Sequence, residues 1–355
     1  MTKPRSEVFA INALFQPKSH LVAISLIVLI SGAFGQSPTT AWTKASLVSP
    51  TIKERSNDIS FSRIFFVPSG QGWATFVMGE YPNQVHGVAK SNDGGDSWEF
   101  VPLRGYRWID SVYFLDSKRG WISTNDDSAT SSAVLLHTTD GGTTWTRWSS
   151  LESLRVKALL GMHFDLVGEG VAVGFVMPGQ AGVVLRTNDF AKTWVFEKTT
   201  DRTLKGIVIR EENTFAWGDS EILRRSGNDW QIVRPKEGIL MGIDAPTADS
   251  VFAIRHYGQI FRSTDTGRTL EMVSLPTPYD DLFLGAIKFS DALFGWVAGH
   301  NGVILATSDG GKTWKSDGQV PSYFLRDIGF TEKRVFVVGD DGAIFWRNKP
   351  AATDR

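Results

Sequence analysis

The phrase SNDGGDSW at residues 91–98 returns as TTDGGTTW at 138–145 and as TSDGGKTW at 307–314, and in altered form as TNDFAKTW at 187–194 and STDTGRTL at 263–270. No other feature constrains the fold so strongly, because self-similarity at a fixed period marks a chain built by repeating one supersecondary unit. The anchors Trp98, Trp145, Trp194, Trp230, Leu270 and Trp314 follow one another at intervals of 36–49 residues. A second register runs ahead of them: GWATFVMG (72–79), GWIST (120–124), GVAVG (170–174), TFAWG (214–218), VFAIR (251–255), GWVAG (295–299) and VFVVG (335–339). That makes seven copies, each an apolar run of strand length that is closed by a turn signal such as DDG, HNG or HYG.

Each unit reads as four strands. Unit six shows them as LGAIKFS (284–290), GWVAGH (295–300), VILATS (303–308) and TWKSDG (313–318). Short connections carrying Gly, Asn and Asp are antiparallel hairpin chemistry. No stretch between them has helical periodicity long enough for a crossover helix, which argues against a parallel α/β sheet. Four-stranded antiparallel sheets repeated at roughly 40–45 residues are the signature of a β-propeller. The 13 Trp, 23 Phe and 35 Gly suit such a fold, with aromatics to pack its sheets and glycines for its many turns.

The seventh unit runs YFLRDIGF, RVFVVGD and AIFWRN, then stops at Lys349-Pro350 before any fourth strand. Residues 41–48 (AWTKASLV) have no strands ahead of them, and the spacing from Trp42 to Leu47 matches that from Trp98 to Leu103. They supply the missing outer strand and hide two sheet edges that would otherwise invite pairing. The expected fold is all-β: a seven-bladed β-propeller of four-stranded antiparallel blades, its ring closed by the N-terminal strand. A single propeller is expected over 36–350, with a tail at 351–355. Its blades fall near 59–103, 106–151, 155–199, 202–235, 238–276, 281–321 and 323–348 plus 41–48.

The repeated turn has a mechanical role. Asp in D-G-G accepts backbone N–H bonds across the turn, and the glycines take positive φ at little cost. Asp93, Asp140 and Asp309 hold this place in the close copies, and Asp189 and Asp265 in the altered ones. Trp98, Trp145, Trp194 and Trp314 are expected to pack between neighbouring blades. Unit four keeps only SGNDW (226–230), and unit three replaces the middle Gly with Ala191. Such tolerance suits a fold-building motif better than a catalytic one.

The first 35 residues pose a separate problem. Lys3, Arg5 and Lys18 precede an apolar run at 21–30 (LVAISLIVLI) and then SGAFGQS. This reads as a secretory signal cleaved near Gln36; an uncleaved signal anchor is the alternative, although the apolar run is short for a span of roughly 20 residues. No Cys follows the run, or occurs anywhere, so a lipoprotein anchor, disulfides, thiolate catalysis and Cys-based metal sites are all excluded. A chain this long buries enough surface to fold outside the cytoplasm without disulfides. The formal net charge of −1 gives no global attraction to nucleic acid or to an anionic membrane.

The pattern S/T-x-D-x-G-x-T-W is the Asp-box, or bacterial neuraminidase repeat, found in sialidases, some glucan hydrolases and sortilin-type receptors. The whole unit, an inner strand, then GWxxG, then G-x-I-L-x-T-x-DGG-x-TW, most resembles the photosystem II stability/assembly factor family, and the resemblance covers nearly all of residues 41–348. It implies a seven-bladed propeller. In photosynthetic members it implies chaperoning of an assembling membrane complex, partly through a basic patch, although nothing in these residues indicates photosynthesis. Fold alone does not settle function.

A sialidase-type hydrolase would need an arginine triad and a Tyr–Glu pair, and glycosidases in general use two opposed carboxylates. The early F/Y-R-I-P phrase is missing: the nearest text is FSRIFFVP at 61–68. Asp280 and Asp281 precede the inner strand of unit six, and Asp340 and Asp341 sit where His300 and Asn301 sit in unit six, so both pairs read as turn residues. His256 and His300 occupy equivalent hairpin positions, and the six His show no metal-ligand spacing. No P-loop, dinucleotide fingerprint or nucleophile elbow is present. No catalytic residue, metal or cofactor is expected.

The binding reading has more to stand on. Arg104, Arg107, Arg155, Lys157, Arg202, Lys205 and Arg326 lie in the segments that join one blade's outer strand to the next blade's inner strand, or at the start of that strand. Tyr106, Trp108, Tyr323 and Phe324 adjoin them. Those connections share one face of a propeller, where basic and aromatic side chains can anchor an acidic protein segment or an anionic glycan. The expectation is a non-enzymatic, monomeric binding or assembly scaffold for a protein partner such as an acidic segment of an envelope or membrane complex. A carbohydrate-active protein, hydrolase or lectin, is the alternative.

Overall fold

The computed structural model describes residues 41–48, 58–126, 132–210, 213–227, 229–233, 239–255, 257–275, 279 and 282–350. The expected signal at 1–35, His256 and the pair Asp280 and Asp281 lie outside the described residues. The described residues form seven sheets, six of four strands and one of five. Apart from the N-terminal segment, the strands of each blade pair antiparallel in sequence order. The inner strands of blades one to seven are Ile59–Phe66, Tyr106–Phe114, Val156–Phe164, Leu204–Arg210, Leu240–Asp244, Leu284–Phe289 and Leu325–Phe330. Each packs against the inner strand of the next blade, and the seventh packs against the first. The ring is a β-propeller, as the repeat requires.

In blades five and six burial is greatest at the second strand and least at the outer one. The second strands of blades five and six, Val251–Arg255 and Gly295–Gly299, are buried along their whole length because neighbouring blades cover both faces. This is why the GWxxG register reads as a continuous apolar run rather than as an alternating one. The outer strand Lys315–Gln319 is mostly exposed and correspondingly polar.

The boxes close the outer hairpins. In blade six the Thr313 hydroxyl donates to Asp309 Oδ2 at 2.6 Å, and the amides of Lys312 and Thr313 donate to Oδ1 at 3.0 and 2.9 Å. The Thr307 hydroxyl donates to the same Oδ1 at 2.8 Å and accepts from Gly311 N. Bonds of this kind recur around Asp93, Asp140, Asp189 and Asp265. The Thr144 hydroxyl and amide hold Asp140 down to about 2, and the Thr269 amide, with the Ser263 and Thr269 hydroxyls, does the same for Asp265.

The second box glycine faces the preceding blade. A Cβ on Gly311 would stand 2.3 Å from the Phe252 ring, and one on Gly95 would stand 2.3 Å from the Phe336 ring. In blade three Ala191 takes this place at a φ of 65°, so the left-handed turn is kept at some cost. Box tryptophans lie at blade boundaries: Trp98 with Phe336 of blade seven, and Trp314 with Phe252 of blade five.

The N-terminal strand closes the ring by touching two blades. Thr43–Lys44 pairs antiparallel with Ile344–Asn348, completing blade seven as expected. The chain then crosses over at buried Ala45, whose amide donates to Ile344 O, and Ser46 N donates to Asp96 O. Ser46–Val48 pairs parallel with Ser97–Pro102, which makes it a fifth strand on blade one. Residues 41–48 therefore do more than the expected single outer strand, and they cover the edges of both blades that meet at the closure.

Candidate functional site: one face of the ring and the channel beneath it

In a ring of up-and-down sheets, connections alternate between two faces. Turns between second and third strands share one face, here called upper, with the links from one blade's outer strand to the next blade's inner strand. The boxes lie on the lower face. The upper connections are braced to one another, for example by Met177 N donating to Arg155 O, His300 N to Phe283 O, and Asn301 N to Tyr323 O. Loops on a stiff ring present a preorganised surface.

Arg104, Arg155 and Arg202 are exposed on the upper connections, and among the described residues their side chains enter no ion pair. Arg155 sits at φ 55° after the short turn Glu152–Leu154, with its amide bonded to Glu152 O. Arg107 and Lys157 are engaged with other groups. Lys205 is paired with Asp219, and Arg326 makes a two-pronged contact with Asp340 at 2.9 and 3.2 Å while lying over Phe324. Blades two, three and four thus carry the exposed cations. Arg326 and Lys205 are held within the fold.

Blade two is the irregular one. Its inner strand skips three residues, Trp108, Ile109 and Asp110, between the paired positions Arg107 and Ser111, where the other six blades skip one at the corresponding bulge. Bulges of this kind re-aim side chains beside sites. Trp108 is pushed outward, 53% exposed, at a φ of 55°, which is costly for an aromatic residue. Its ring lies 5.7 Å from that of His86. Tyr106, by contrast, packs inward beside Leu103. Asp110 accepts a bond from Asn125 Nδ2 at 3.1 Å; burial pushes its carboxyl up to about 8, opposed by Arg63 and Lys157.

Tyr323 is exposed on blade seven, edge-on to His300 at 5.0 Å. A second aromatic pair, Tyr257 with Phe283 at 5.4 Å, lies on blades five and six and was missed from sequence. A signal was available. The middle residue of HYG, HNG and DDG is left-handed in all three turns: Tyr257 at 65°, Asn301 at 56° and Asp341 at 60°. Asn and Asp tolerate that conformation, so tyrosine there is the anomaly. The turn reading of Asp340 and Asp341 holds: Asp340 N bonds to Phe324 O, and Asp341 accepts from Tyr323 N.

Beneath this face the inner strands enclose a channel cavity of about 240 Å³. One level of it is set by the residue after each bulge: Arg63, Ser111, Gly161, Gly206, Gly242, Ala286 and Asp327 in blade order. Its carboxylates act as ties between blades. Asp327 accepts Ile64 N of blade one at 2.9 Å and the Lys288 ammonium at 2.8 Å. Asp244 accepts Phe289 N of blade six at 2.6 Å, and burial raises its carboxyl against the pull of Arg210. Among the described residues no cluster of His, Asp and Glu could hold a metal ion.

Comparison with known proteins agrees with the fold. Residues 249–349 match the family described as photosynthesis system II assembly factor YCF48. The chain is 24% identical over 281 residues to the photosystem II assembly lipoprotein Ycf48 of Synechococcus sp. (strain CC9902), covering 72% of this chain and 77% of that protein. It is 22% identical to the chloroplastic photosystem II stability/assembly factor HCF136 of Arabidopsis thaliana, covering 86% and 67% of the two. A solved structure titled YCF48 bound to D1 peptide superposes with a TM-score of 0.68 at 21% identity, over 90% of this chain and 99% of that one. The chain is an Asp-box propeller that resembles these assembly factors.

Proposed function

We propose that the protein is an exported, non-enzymatic assembly scaffold whose upper face holds an acidic segment of a protein partner. The observation that carries this reading is the run of exposed cations Arg104, Arg155 and Arg202 over consecutive blades, beside the outward-turned Trp108. Exposed arginines can form two-pronged bonds to carboxylates, and an adjacent indole gives apolar contact at small entropic cost. Similarity to assembly factors, one of them solved with a bound peptide, supports the same kind of partner. The channel carboxylates support a non-enzymatic role, because Asp244 and Asp327 are committed to backbone amides and cations of neighbouring strands. Glycoside hydrolysis needs one carboxyl free to give a proton and another free to attack or activate water.

The test is capture from the host's envelope extract with the purified protein as bait. An Arg104→Glu/Arg155→Glu bait and a Lys312→Glu bait, altered on the lower face, are run alongside. One discrete protein retained by the original and by Lys312→Glu, and lost from the double variant, is the expected result. Equal capture by all three, or no capture, would refute the reading and send the search to sugars.

A further inference from the structure

Blade four departs from the repeat at one place that faces the channel. The fourth residue of the GWxxG register is Thr75, Ser123, Val173, Ile254, Ala298 and Val338 in the other blades, but Trp217 here. It pairs directly across from Gly206, and a Cβ on Gly206 would stand 2.4 Å from Trp217 Nε1. The glycine is therefore what lets the indole lie across the inner strand and form part of the cavity wall. Part of the indole packs against blade five, and part remains accessible.

The opposite wall departs in the other direction. At the level where five blades carry Ser, Gly or Ala, blade one carries Arg63. Asp327, next to it on blade seven, has its carboxylate occupied by Ile64 N, Ile328 N and Lys288. Arg63 has only a 3.3 Å bond to Ser62 O and, among the described residues, no ion pair. Asp110, the other acid near it, has its carboxyl raised by burial and accepts from Asn125 Nδ2, so it offsets the guanidinium charge only in part. A half-buried cation without an ion pair is costly, and an anion in the cavity would relieve that cost. Met162 and Met241 also line the cavity; thioethers suit contact with flat rings.

We propose that the channel is a binding site for a small aromatic carboxylate, its ring against Trp217 and Met241 and its carboxylate on Arg63. The five small residues at that level leave the space, and about 240 Å³ admits a molecule of one ring and a short acid chain. This proposal does not depend on what the upper-face surface holds.

The experiment titrates the purified protein at pH 7 with phenylacetate and with 3-phenylpropionate, with phenylacetamide as the neutral isostere, by calorimetry and ligand-observed NMR. Saturable binding of at least one acid, weakened about tenfold or more in the amide, is expected from the loss of one charge-assisted contact. Arg63→Gln should lower the affinity of the acid by a similar factor and leave that of the amide unchanged. Trp217→Val, which installs the residue of blade three, should weaken both. Absence of saturable binding by either acid at millimolar concentration overturns the proposal, and so does equal affinity for acid and amide. The acid–amide comparison uses the unaltered protein, so it stands even if a variant fails to fold.

Discussion

Replacing Trp314 by alanine tests the claim that box tryptophans hold adjacent blades together. The side chain is 3% exposed, sits edge-on to Phe289 at 5.8 Å, and packs in a cluster with Phe252 and Ile254 of the preceding blade. Removing about 150–200 Å² of buried aromatic surface at 25 cal/mol per Å² costs about 4–5 kcal/mol as an upper bound. Its indole N–H has no partner among the described residues, so no hydrogen bond is lost and about 1 kcal/mol of desolvation is returned. The expected loss is therefore about 3–4 kcal/mol, within the usual range for such changes. Trp98→Ala should cost more, because Trp98 is fully buried and its N–H also donates to Gly95 O at 3.1 Å. Lys312→Ala, on the exposed rim of the same box, should stay within about 0.5 kcal/mol of the parent. Urea unfolding followed by circular dichroism reads all three, provided that the slope with denaturant is unchanged. Equal midpoint shifts for Trp314→Ala and Lys312→Ala would refute the packing argument.

Three further outcomes are expected. Deleting residues 41–48 exposes the edges of blades seven and one together, so it should lower the melting temperature sharply and promote self-association; an unchanged melt would show that closure does not depend on this strand. Gly311→Ala should cost about 2–4 kcal/mol, combining a left-handed φ of 74° with a Cβ that meets the Phe252 ring; a loss under about 1 kcal/mol in urea unfolding would contradict the geometry. Asp110 binds its proton more tightly in the folded state, with a carboxyl near 8 against an ordinary 3.8, so its contribution falls as pH rises between those values. The slope is at most about 1.4 kcal/mol per pH unit, and shallower because the residue is only half-buried. Asp110→Asn should flatten the stability curve over that window, and an identical pH slope in parent and variant would remove Asp110 from the account.

The sequence determined the number of blades, their strand order and the closure. A repeated unit cannot bury its apolar runs alone, so GWATFVMG and its six relatives require neighbours on both sides. The missing fourth strand of unit seven and the unaccompanied AWTKASLV point to one another. The tertiary structure alone decided that the N-terminal strand is shared with blade one, because a crossover at Ala45 leaves no trace in composition or periodicity. It also decided which basic residues are available: Arg326 and Arg155 look alike in sequence, but only Arg326 meets an Asp340 brought opposite by the next hairpin. The anomalies at Tyr257, Trp108 and Trp217 were written in the sequence as departures from the repeat. Their meaning became visible only once the ring fixed which face each departure looks upon.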